Sequence, residues 1–195
     1  ALALISTGTA QAQPAGKARV AEATALVTRT VDELTKVPGG IAGYGVVIAA
    51  EGHPDFILTR GVANASTGAP VTPDTAFYIA SQTKSYTGLL AAKLDREKVL
   101  PLDTTLAEIW PGLRLPAPIH ARRVSLPQLL SHNARFHNPT LSERTAYTDE
   151  VAAEAYPRLL EAASTVTKPG FEYHNSGYLI YSAALKTRTG RDWKS

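Results

Sequence analysis

The chain contains no cysteine and no methionine among its 195 residues. The absence of thiols excludes disulfide bridges, thiolate catalysis and cysteine-based zinc sites. Dense positive charge is also absent, because the formal net charge is only +3 and Arg122-Arg123 is the single adjacent basic pair. This charge pattern does not indicate a nucleic-acid-binding protein. The sequence also predicts no stable membrane span.

What the chain does contain is the composition of a globular protein. Hydrophobic residues make up 44% and charged residues 19%, which suits one or two domains with a real core. Ala1 to Ile5 are apolar, and Ala10-Gln11-Ala12 has the small-x-small pattern of a signal-peptidase site. We therefore predict a signal-peptide remnant at residues 1–15 and an exported protein, periplasmic or secreted, of bacterial type. A plain alanine-rich terminus remains the alternative.

The apolar pattern from residue 16 onward predicts α+β structure over residues 16–195. An amphipathic helix is expected between Gly16 and Lys36. Two apolar stretches then flank a turn and predict an antiparallel sheet hairpin at about 43–62, with its second strand at Phe56–Val62. A lone hairpin is marginal in water, so the sheet is expected to need further strands.

The rest of the chain predicts helices. The helix at about 81–96 is apolar on most of its circumference, so we expect it to be buried. A largely helical region follows at about 99–195. In it, Ser125-Leu126-Pro127-Gln128 predicts a capping box that opens a short helix. A helix at about 149–163 is expected to be kinked or split by Pro157, and a final helix is expected to end near Gly190.

Ser81 and Lys84 form the first motif that carries chemistry. Residues i and i+3 share one face of a helix, so the hydroxyl and the amine can form a hydrogen bond. At a helix N-terminus, the Ser81 backbone N–H is a natural half of an oxyanion hole. Lys84 can take a proton from Ser81 only if the pKa of the lysine is lowered by burial. We expect Ile79, Leu89 and Leu90 to bury Lys84.

Tyr173 and Asn175 form the second motif. An ammonium group beside a tyrosine favours the phenolate form of the side chain. Tyr173 can therefore serve as a second proton-transfer group. Asn175 is predicted to project to the same side in an extended segment, where its amide can orient Lys84 or accept a substrate hydrogen bond. Each pattern occurs only once in the chain. Short patterns of this kind also arise by chance on solvated helix faces, so that alternative stays open.

The chain offers little support for other kinds of site. His132 and His137 lack a nearby acidic ligand and are predicted to be loop or capping histidines. No Gly-x-Ser-x-Gly elbow of an α/β-hydrolase is present. We therefore expect neither a metal nor a cofactor.

Three landmarks together resemble the serine β-lactamase-related family, which includes class C β-lactamases, D-alanyl-D-alanine carboxypeptidases and lactamase-like esterases. They are residues 77–84 (FYIASQTK), 126–132 (LPQLLSH) and 169–178 (PGFEYHNSGY). The resemblance implies a β-lactamase/transpeptidase-like fold, with an antiparallel sheet flanked by helices and a helical domain. It also implies Ser81 as the acylated nucleophile, Lys84 as its proton partner, Tyr173 as acid/base, and Asn175 in the substrate cleft.

The chain departs from the family pattern in two places. Related sequences usually continue the Leu-Leu-Ser-His landmark with Thr-Ser-Gly, whereas this chain has Asn133-Ala134-Arg135. The family's Lys/His-x-Gly strand is also absent, so the resemblance implies that C-terminal strands are missing from this chain. Lys186-Thr187-Arg188 is not a substitute, because it falls in a helical pattern and has arginine in place of glycine.

Two functions follow as hypotheses. The first is a serine hydrolase that forms an acyl-enzyme on an amide, β-lactam or ester, with a small molecule or a peptide as substrate. The second is a non-catalytic truncated fragment, or a penicillin-binding module, that lacks the third active-site motif. The sequence predicts no oligomeric state.

Overall fold

The computed structural model describes residues 16–148 and 151–193. These residues form two compact units, which divide between Tyr78 and Ile79. The predicted signal-peptide remnant at residues 1–15 lies outside the described residues, so it stays a prediction. In the part of the chain that is described, no helix combines the length and apolar character needed to cross a membrane.

The first unit consists of a helix and a three-stranded antiparallel sheet. Helix α1 spans Lys17–Leu34, and it is followed by β1 (Gly43–Ile48), β2 (Phe56–Asn64) and β3 (Ala69–Pro70). The strand order is β1-β2-β3. Strands β1 and β2 form an antiparallel hairpin in which Gly43 pairs with Gly61. Strand β2 extends beyond the predicted Val62, and the sequence analysis missed the two-residue β3.

Close backbone packing at the end of this hairpin requires glycine. Gly61 has φ +77°, and a Cβ atom there would lie 2.1 Å from the carbonyl oxygen of Ala42. Only glycine meets both conditions at this position. On the neighbouring residue, the Arg60 Nε donates to an Asp32 carboxylate oxygen at 2.8 Å, which ties α1 to β2.

The second unit is mainly helical, and two of its short strands pair antiparallel. Its elements are α2 (Thr83–Arg96), α3 (Leu106–Ile109), α4 (Leu126–Leu130), β4 (Phe136–His137), α5 (Pro139–Tyr147), α6 (Tyr156–Ala163), β5 (Thr165–Val166) and α7 (Ser176–Thr189). The sequence analysis did not predict α3, β4, α5 and β5, because short elements show too few repeats of a hydrophobic period.

Helices α4 and α7 pack together in the middle of this unit. Their close approach depends on Gly177, because a Cβ atom there would lie 2.4 Å from the carbonyl oxygen of Leu129. The large side chains that are fully buried in the core include Leu100, Leu106, Leu126, Leu129, Phe136, Leu141, Leu160 and Tyr181. Residues of α7 belong to the same core, which fixes the position of this helix in the unit.

Local signals predicted the helix ends better than they predicted burial. Ser125 and Gln128 form the expected capping box at α4, and Gly190 follows α7 with φ +73°. Pro157 neither kinks nor splits a helix. It lies in the first turn of α6, where its missing N–H would have no intrahelical acceptor.

Helix α2 is much less buried than we expected, so that prediction was wrong. Its buried residues are Thr87 and Ala91, whereas the Leu89 side chain is 71% exposed. Thr87, Ala91 and Leu94 are spaced i, i+4 and i+7, and the last two contact the core. The prediction counted apolar residues around the whole helix, but only one stripe of a surface helix contacts a core.

Asn138 connects three helices through its buried side chain and its backbone N–H. It is fully buried, and its Oδ1 accepts from the Leu141 backbone N–H at 2.8 Å, which caps α5. Its Nδ2 donates to the Leu159 carbonyl at 2.8 Å and to the Ser164 Oγ at 3.3 Å. Its backbone N–H donates to the Ser176 Oγ at the start of α7. Buried polar groups are costly when they lose their partners.

We predict that Asn138→Ala lowers the free energy of unfolding by about 3 kcal/mol, because it removes a helix cap and leaves buried groups of the backbone without partners. Asn133→Ala is the matched control, since the Asn133 side-chain amide donates to nearby Ser131 and, within the described part of the chain, to no other residue. This substitution should cost about 0.5 kcal/mol. Denaturant unfolding of both variants measures the difference. Equal losses in the two variants would contradict the structural role of Asn138.

Candidate active site

Ser81 lies in a tight turn at the start of α2. The turn is a 3₁₀ helix at Ala80–Gln82, and α2 continues from it at Thr83. Ala80, directly before the serine, has φ +46°, a left-handed conformation that is unfavourable for alanine. Such strain persists only where the surroundings enforce it, and it is enriched at functional sites. Among the described residues, no hydrogen bond from the Ser81 backbone N–H to another residue is present.

The Ser81 hydroxyl receives hydrogen bonds from two ionisable side chains. The Lys84 Nζ donates to the Ser81 Oγ at 3.0 Å, and the Tyr173 hydroxyl donates to the same oxygen at 2.8 Å. Lys84 lies one helical turn from Ser81, whereas Tyr173 is 92 residues away in the chain. The fold of the second unit therefore brings the two predicted motifs together at one oxygen atom.

Lys84 is held by further contacts with the second motif. Its Nζ donates to the Asn175 Oδ1 at 2.8 Å, which is the contact that the predicted orienting role requires. The extended backbone predicted at Asn175 was wrong, because this residue caps α7 with φ −79° and ψ −28°. The ammonium also lies over the rings of Tyr173 and Tyr178, at 5.0 and 5.6 Å from their centroids. Cation–π contacts at these distances are attractive. Contacts with Asn175, Tyr173 and Tyr178 thus hold the Lys84 ammonium beside Ser81.

The electrostatics of the site favour proton transfer by Tyr173. Hydrogen bonding with Lys84, and then with Ser81, lowers the pKa of the Tyr173 hydroxyl below its ordinary value of 10.0. The neighbouring Tyr178 behaves in the opposite way, since burial raises its pKa. The two tyrosines therefore have different acidities beside the same ammonium. Tyr173 is the better candidate for a group that exchanges protons with Ser81.

The apolar wall predicted to bury Lys84 does not form. Ile79 is 44% and Leu89 is 71% exposed, and Leu90 packs instead against the hydrophobic core. Successive residues of a helix differ by 100°, so Leu89 lies on a different face from Lys84. The contacts around Lys84 come from polar and aromatic side chains rather than from aliphatic ones.

The segment after α4 contains two residues in left-handed conformations. His132 and Arg135 both have φ +60°. Arg135 occupies the position where, by the resemblance above, related sequences usually have glycine. Here the chain keeps a backbone conformation suited to glycine while it carries a charged side chain. The loop differs in sequence without losing this turn.

His132 is, with Tyr178, a residue of this site that the sequence analysis missed. It was predicted to be a loop or capping histidine, but its ring lies 4.6 Å from the Tyr173 ring, centroid to centroid. The signal was available, because the Leu-Leu-Ser-His landmark ends at this residue. By contrast, Lys186-Thr187-Arg188 lies inside α7, as expected from its helical pattern. Among the described residues, no cluster of acidic and histidine side chains could hold a metal ion.

Comparison with known proteins gives consistent matches. A family model described as beta-lactamase matches residues 25–195. The chain is similar to penicillin-binding protein 4 of Amycolatopsis lactamdurans, with 30% identity over 162 residues. This similarity covers 80% of the chain and 40% of that protein.

Two solved structures show the same fold. D-alanine carboxypeptidase AmpC from Burkholderia cenocepacia matches with a TM-score of 0.68 and 25% identity, over 89% of this chain and 45% of that one. D-amino acid amidase from Ochrobactrum anthropi SV3, complexed with L-phenylalanine amide, matches with a TM-score of 0.69 and 21% identity, over 88% of this chain and 47% of that one. The chain thus spans less than half the length of each of these three proteins.

Proposed function

The chain belongs to the β-lactamase family, and from this premise we propose that it carries a serine acyl-transfer site with Ser81 as nucleophile. One observation carries the proposal: the Lys84 Nζ and the Tyr173 hydroxyl both reach the Ser81 Oγ, at 3.0 and 2.8 Å. A serine becomes a strong nucleophile when a neighbouring group can take its proton. Two proton-transfer groups on one hydroxyl are what acylation and deacylation both need.

In the acylation step, the Ser81 Oγ attacks the carbonyl carbon of the substrate and forms a new C–O bond. The serine proton passes to the Lys84 and Tyr173 pair, which shares protons as a coupled unit. The carbonyl oxygen gains negative charge, and the Ser81 backbone N–H at the start of α2 is placed to stabilise it. When the scissile bond breaks, the pair returns the proton to the leaving amine or alcohol.

In the deacylation step, water attacks the same carbonyl carbon. The Lys84 and Tyr173 pair takes a proton from the water, and the Ser81 Oγ receives it as the acyl–oxygen bond breaks. Asn175 holds Lys84 in both steps through its Oδ1. The sequence analysis predicted that Asn175 accepts a substrate hydrogen bond; because its Oδ1 already accepts from Lys84, we propose instead that its amide nitrogen donates to the substrate.

The substrate class that we propose is an amide of a D-amino acid. The names of two fold relatives, a D-alanine carboxypeptidase and a D-amino acid amidase, support this choice. In both cases the scissile bond is an amide, as in the acyl-enzyme chemistry above. Export from the cytoplasm, predicted from residues 1–15, is part of the proposal, and N-terminal sequencing of the mature protein would locate its cleavage site.

A second candidate function is a penicillin-binding module that is acylated without rapid turnover. The similarity to penicillin-binding protein 4 favours it. This candidate shares the acylation step and differs in the rate of deacylation.

A panel of substrates separates these functions in the full-length protein. It includes a peptide ending in D-Ala-D-Ala, D- and L-phenylalanine amide, and a penicillin, each with the wild type and with Ser81→Ala. We expect release of amine from the D-amides in preference to the L-amide, and none from Ser81→Ala. A stable penicillin adduct without turnover would favour the penicillin-binding module. Turnover that persists in Ser81→Ala would contradict both functions.

A further inference from the structure

His132 occupies an unusual position two residues beyond the end of α4. Its side chain is only 8% exposed, and its backbone adopts φ +60°. A left-handed conformation is unfavourable for a residue that has a Cβ atom. That conformation persists only when the contacts of the residue enforce it. The contacts that enforce this conformation of His132 therefore indicate its role.

Two hydrogen bonds from the second motif end on His132, one on each side of Tyr173. The Glu172 backbone N–H donates to the His132 carbonyl oxygen at 3.0 Å. The His174 backbone N–H donates to the His132 Nδ1 at 3.4 Å. The imidazole ring then packs on the Tyr173 ring at a centroid distance of 4.6 Å. One residue thus contacts the neighbours of Tyr173 on both sides as well as its ring.

Further ring contacts keep the imidazole in place. The rings of Phe171, His174 and Tyr178 each lie 5.6 Å from it, centroid to centroid. The His174 ring is fixed in turn, because its Nδ1 lies 3.1 Å from the Ser176 Oγ, which also accepts from the Asn138 backbone N–H. The imidazole is therefore part of a packed group that continues into the buried Asn138.

We propose that His132 is a positioning residue that holds the Tyr173 hydroxyl on Ser81, and that it does so only while its Nδ1 is unprotonated. This inference rests on the proposed function, because it assigns Tyr173 a role in proton transfer. The His174 N–H needs a lone pair on Nδ1. A proton at Nδ1 replaces that acceptor with a second donor and breaks the bond.

The groups that face the imidazole favour the unprotonated form. The charge of Lys84 acts on it from α2. The rings of Tyr173 and His174 pack on it from the segment before α7, and the Tyr178 ring packs on it from α7. His137 in β4 lies beyond His174 and faces the Glu172 carboxylate at 3.9 Å. Burial, and then the charge of Lys84, lowers the pKa of His132 below 6.5. A histidine whose pKa is lower in the folded state contributes full stability above pH 6.5. That contribution is lost as the pH falls through the folded pKa.

Two substitutions test the role of the His132 Nδ1 as a hydrogen-bond acceptor without adding strain at the left-handed φ. His132→Gly accepts the left-handed φ but removes the ring and Nδ1. His132→Asn also tolerates this φ and places an amide oxygen near the position of Nδ1, without a titratable group. We expect His132→Gly to lower the acylation rate constant about 100-fold, the typical cost of a displaced catalytic group. We expect His132→Asn to stay within about 5-fold of the wild type.

The pH profile gives the second kinetic result. In the wild type, the acylation rate should fall at acid pH as His132 gains a proton. In His132→Asn this fall, the acid limb of the pH profile, should be absent. His120→Asn is the matched control, because His120 is an exposed histidine in the same unit, and its profile should equal that of the wild type. An unchanged rate in His132→Gly, or an unchanged acid limb in His132→Asn, would overturn the proposal.

A measurement that does not depend on activity separates this proposal from the proposed function. Tyrosine labelled with ¹³C at Cζ reports the titration of Tyr173, with Tyr173→Phe to assign its resonance. We expect the Tyr173 pKa to rise toward its ordinary value in His132→Gly and to stay low in His132→Asn. An unchanged Tyr173 titration in His132→Gly would overturn the positioning role, whether or not Ser81 is acylated. Failure of the proposed function would instead appear as acylation that persists in Ser81→Ala.

Discussion

Replacing Ser81 by alanine is expected to abolish acyl-enzyme formation and to lower turnover by about a million-fold, the scale on which serine hydrolases lose activity with their nucleophile. The physical reason is that Lys84 and Tyr173 both form hydrogen bonds with the Ser81 Oγ. Without this oxygen, neither group has a nucleophile to deprotonate. Intact-mass spectrometry and steady-state turnover in the full-length protein measure the loss.

The matched control for this substitution is Ser85→Ala. Ser85 is an exposed serine one turn further along α2, so its replacement tests whether a small change in the same helix has the same effect. We expect full labelling and near-normal turnover in Ser85→Ala. Labelling that survives in Ser81→Ala would show that a different residue is the nucleophile.

Replacing Lys84 by methionine is expected to lower the acylation rate constant about 1000-fold, within the range that general acid–base catalysis contributes. Methionine has a similar length but cannot donate to the Ser81 Oγ or to Asn175. The substitution also removes the hydrogen bonding with Lys84, and to a smaller extent the charge, that lowers the pKa of Tyr173, so both proton-transfer groups are weakened together. Stopped-flow acylation with a chromogenic substrate measures the rate constant separately from deacylation.

Lys93→Met is the control that separates this loss from a general effect of charge. Lys93 lies on the same helix, is exposed, and pairs with Glu97 at 3.3 Å on the surface. A pair of this kind contributes about 0–1 kcal/mol to stability, so acylation should stay near the wild-type rate. If Lys84→Met acylates within a few-fold of Lys93→Met, Lys84 has no part in the mechanism.

The parts of the fold that the sequence predicted are those with local causes. The capping box at Ser125 and the glycine after α7 specify helix ends through residues only a few positions apart. The antiparallel hairpin follows from two apolar runs around one turn. The family resemblance and the α+β, β-lactamase/transpeptidase-like fold class, both inferred from landmark motifs, are confirmed by the family match and the fold relatives.

The parts that the sequence did not predict depend on contacts between distant residues. The role of Asn138 requires knowing that Leu159, Ser164 and Ser176 meet around it. The contacts of His132 with Tyr173 join residues on two separate segments. The burial of α2 was overestimated, because apolar composition does not identify which stripe of a helix contacts the core. Motif spacing therefore predicted which side chains meet at the Ser81 Oγ, but it did not predict that the His132 ring packs on Tyr173.

The most direct test of Ser81 as nucleophile is peptide mapping of the full-length protein after acid-quenched reaction with a penicillin and, in parallel, with an activated phenyl ester. The account predicts one acyl adduct from each reagent, carried by Ser81 in the peptide that contains residues 80–84. An adduct on any other residue, or none from either reagent on a folded protein, would contradict it.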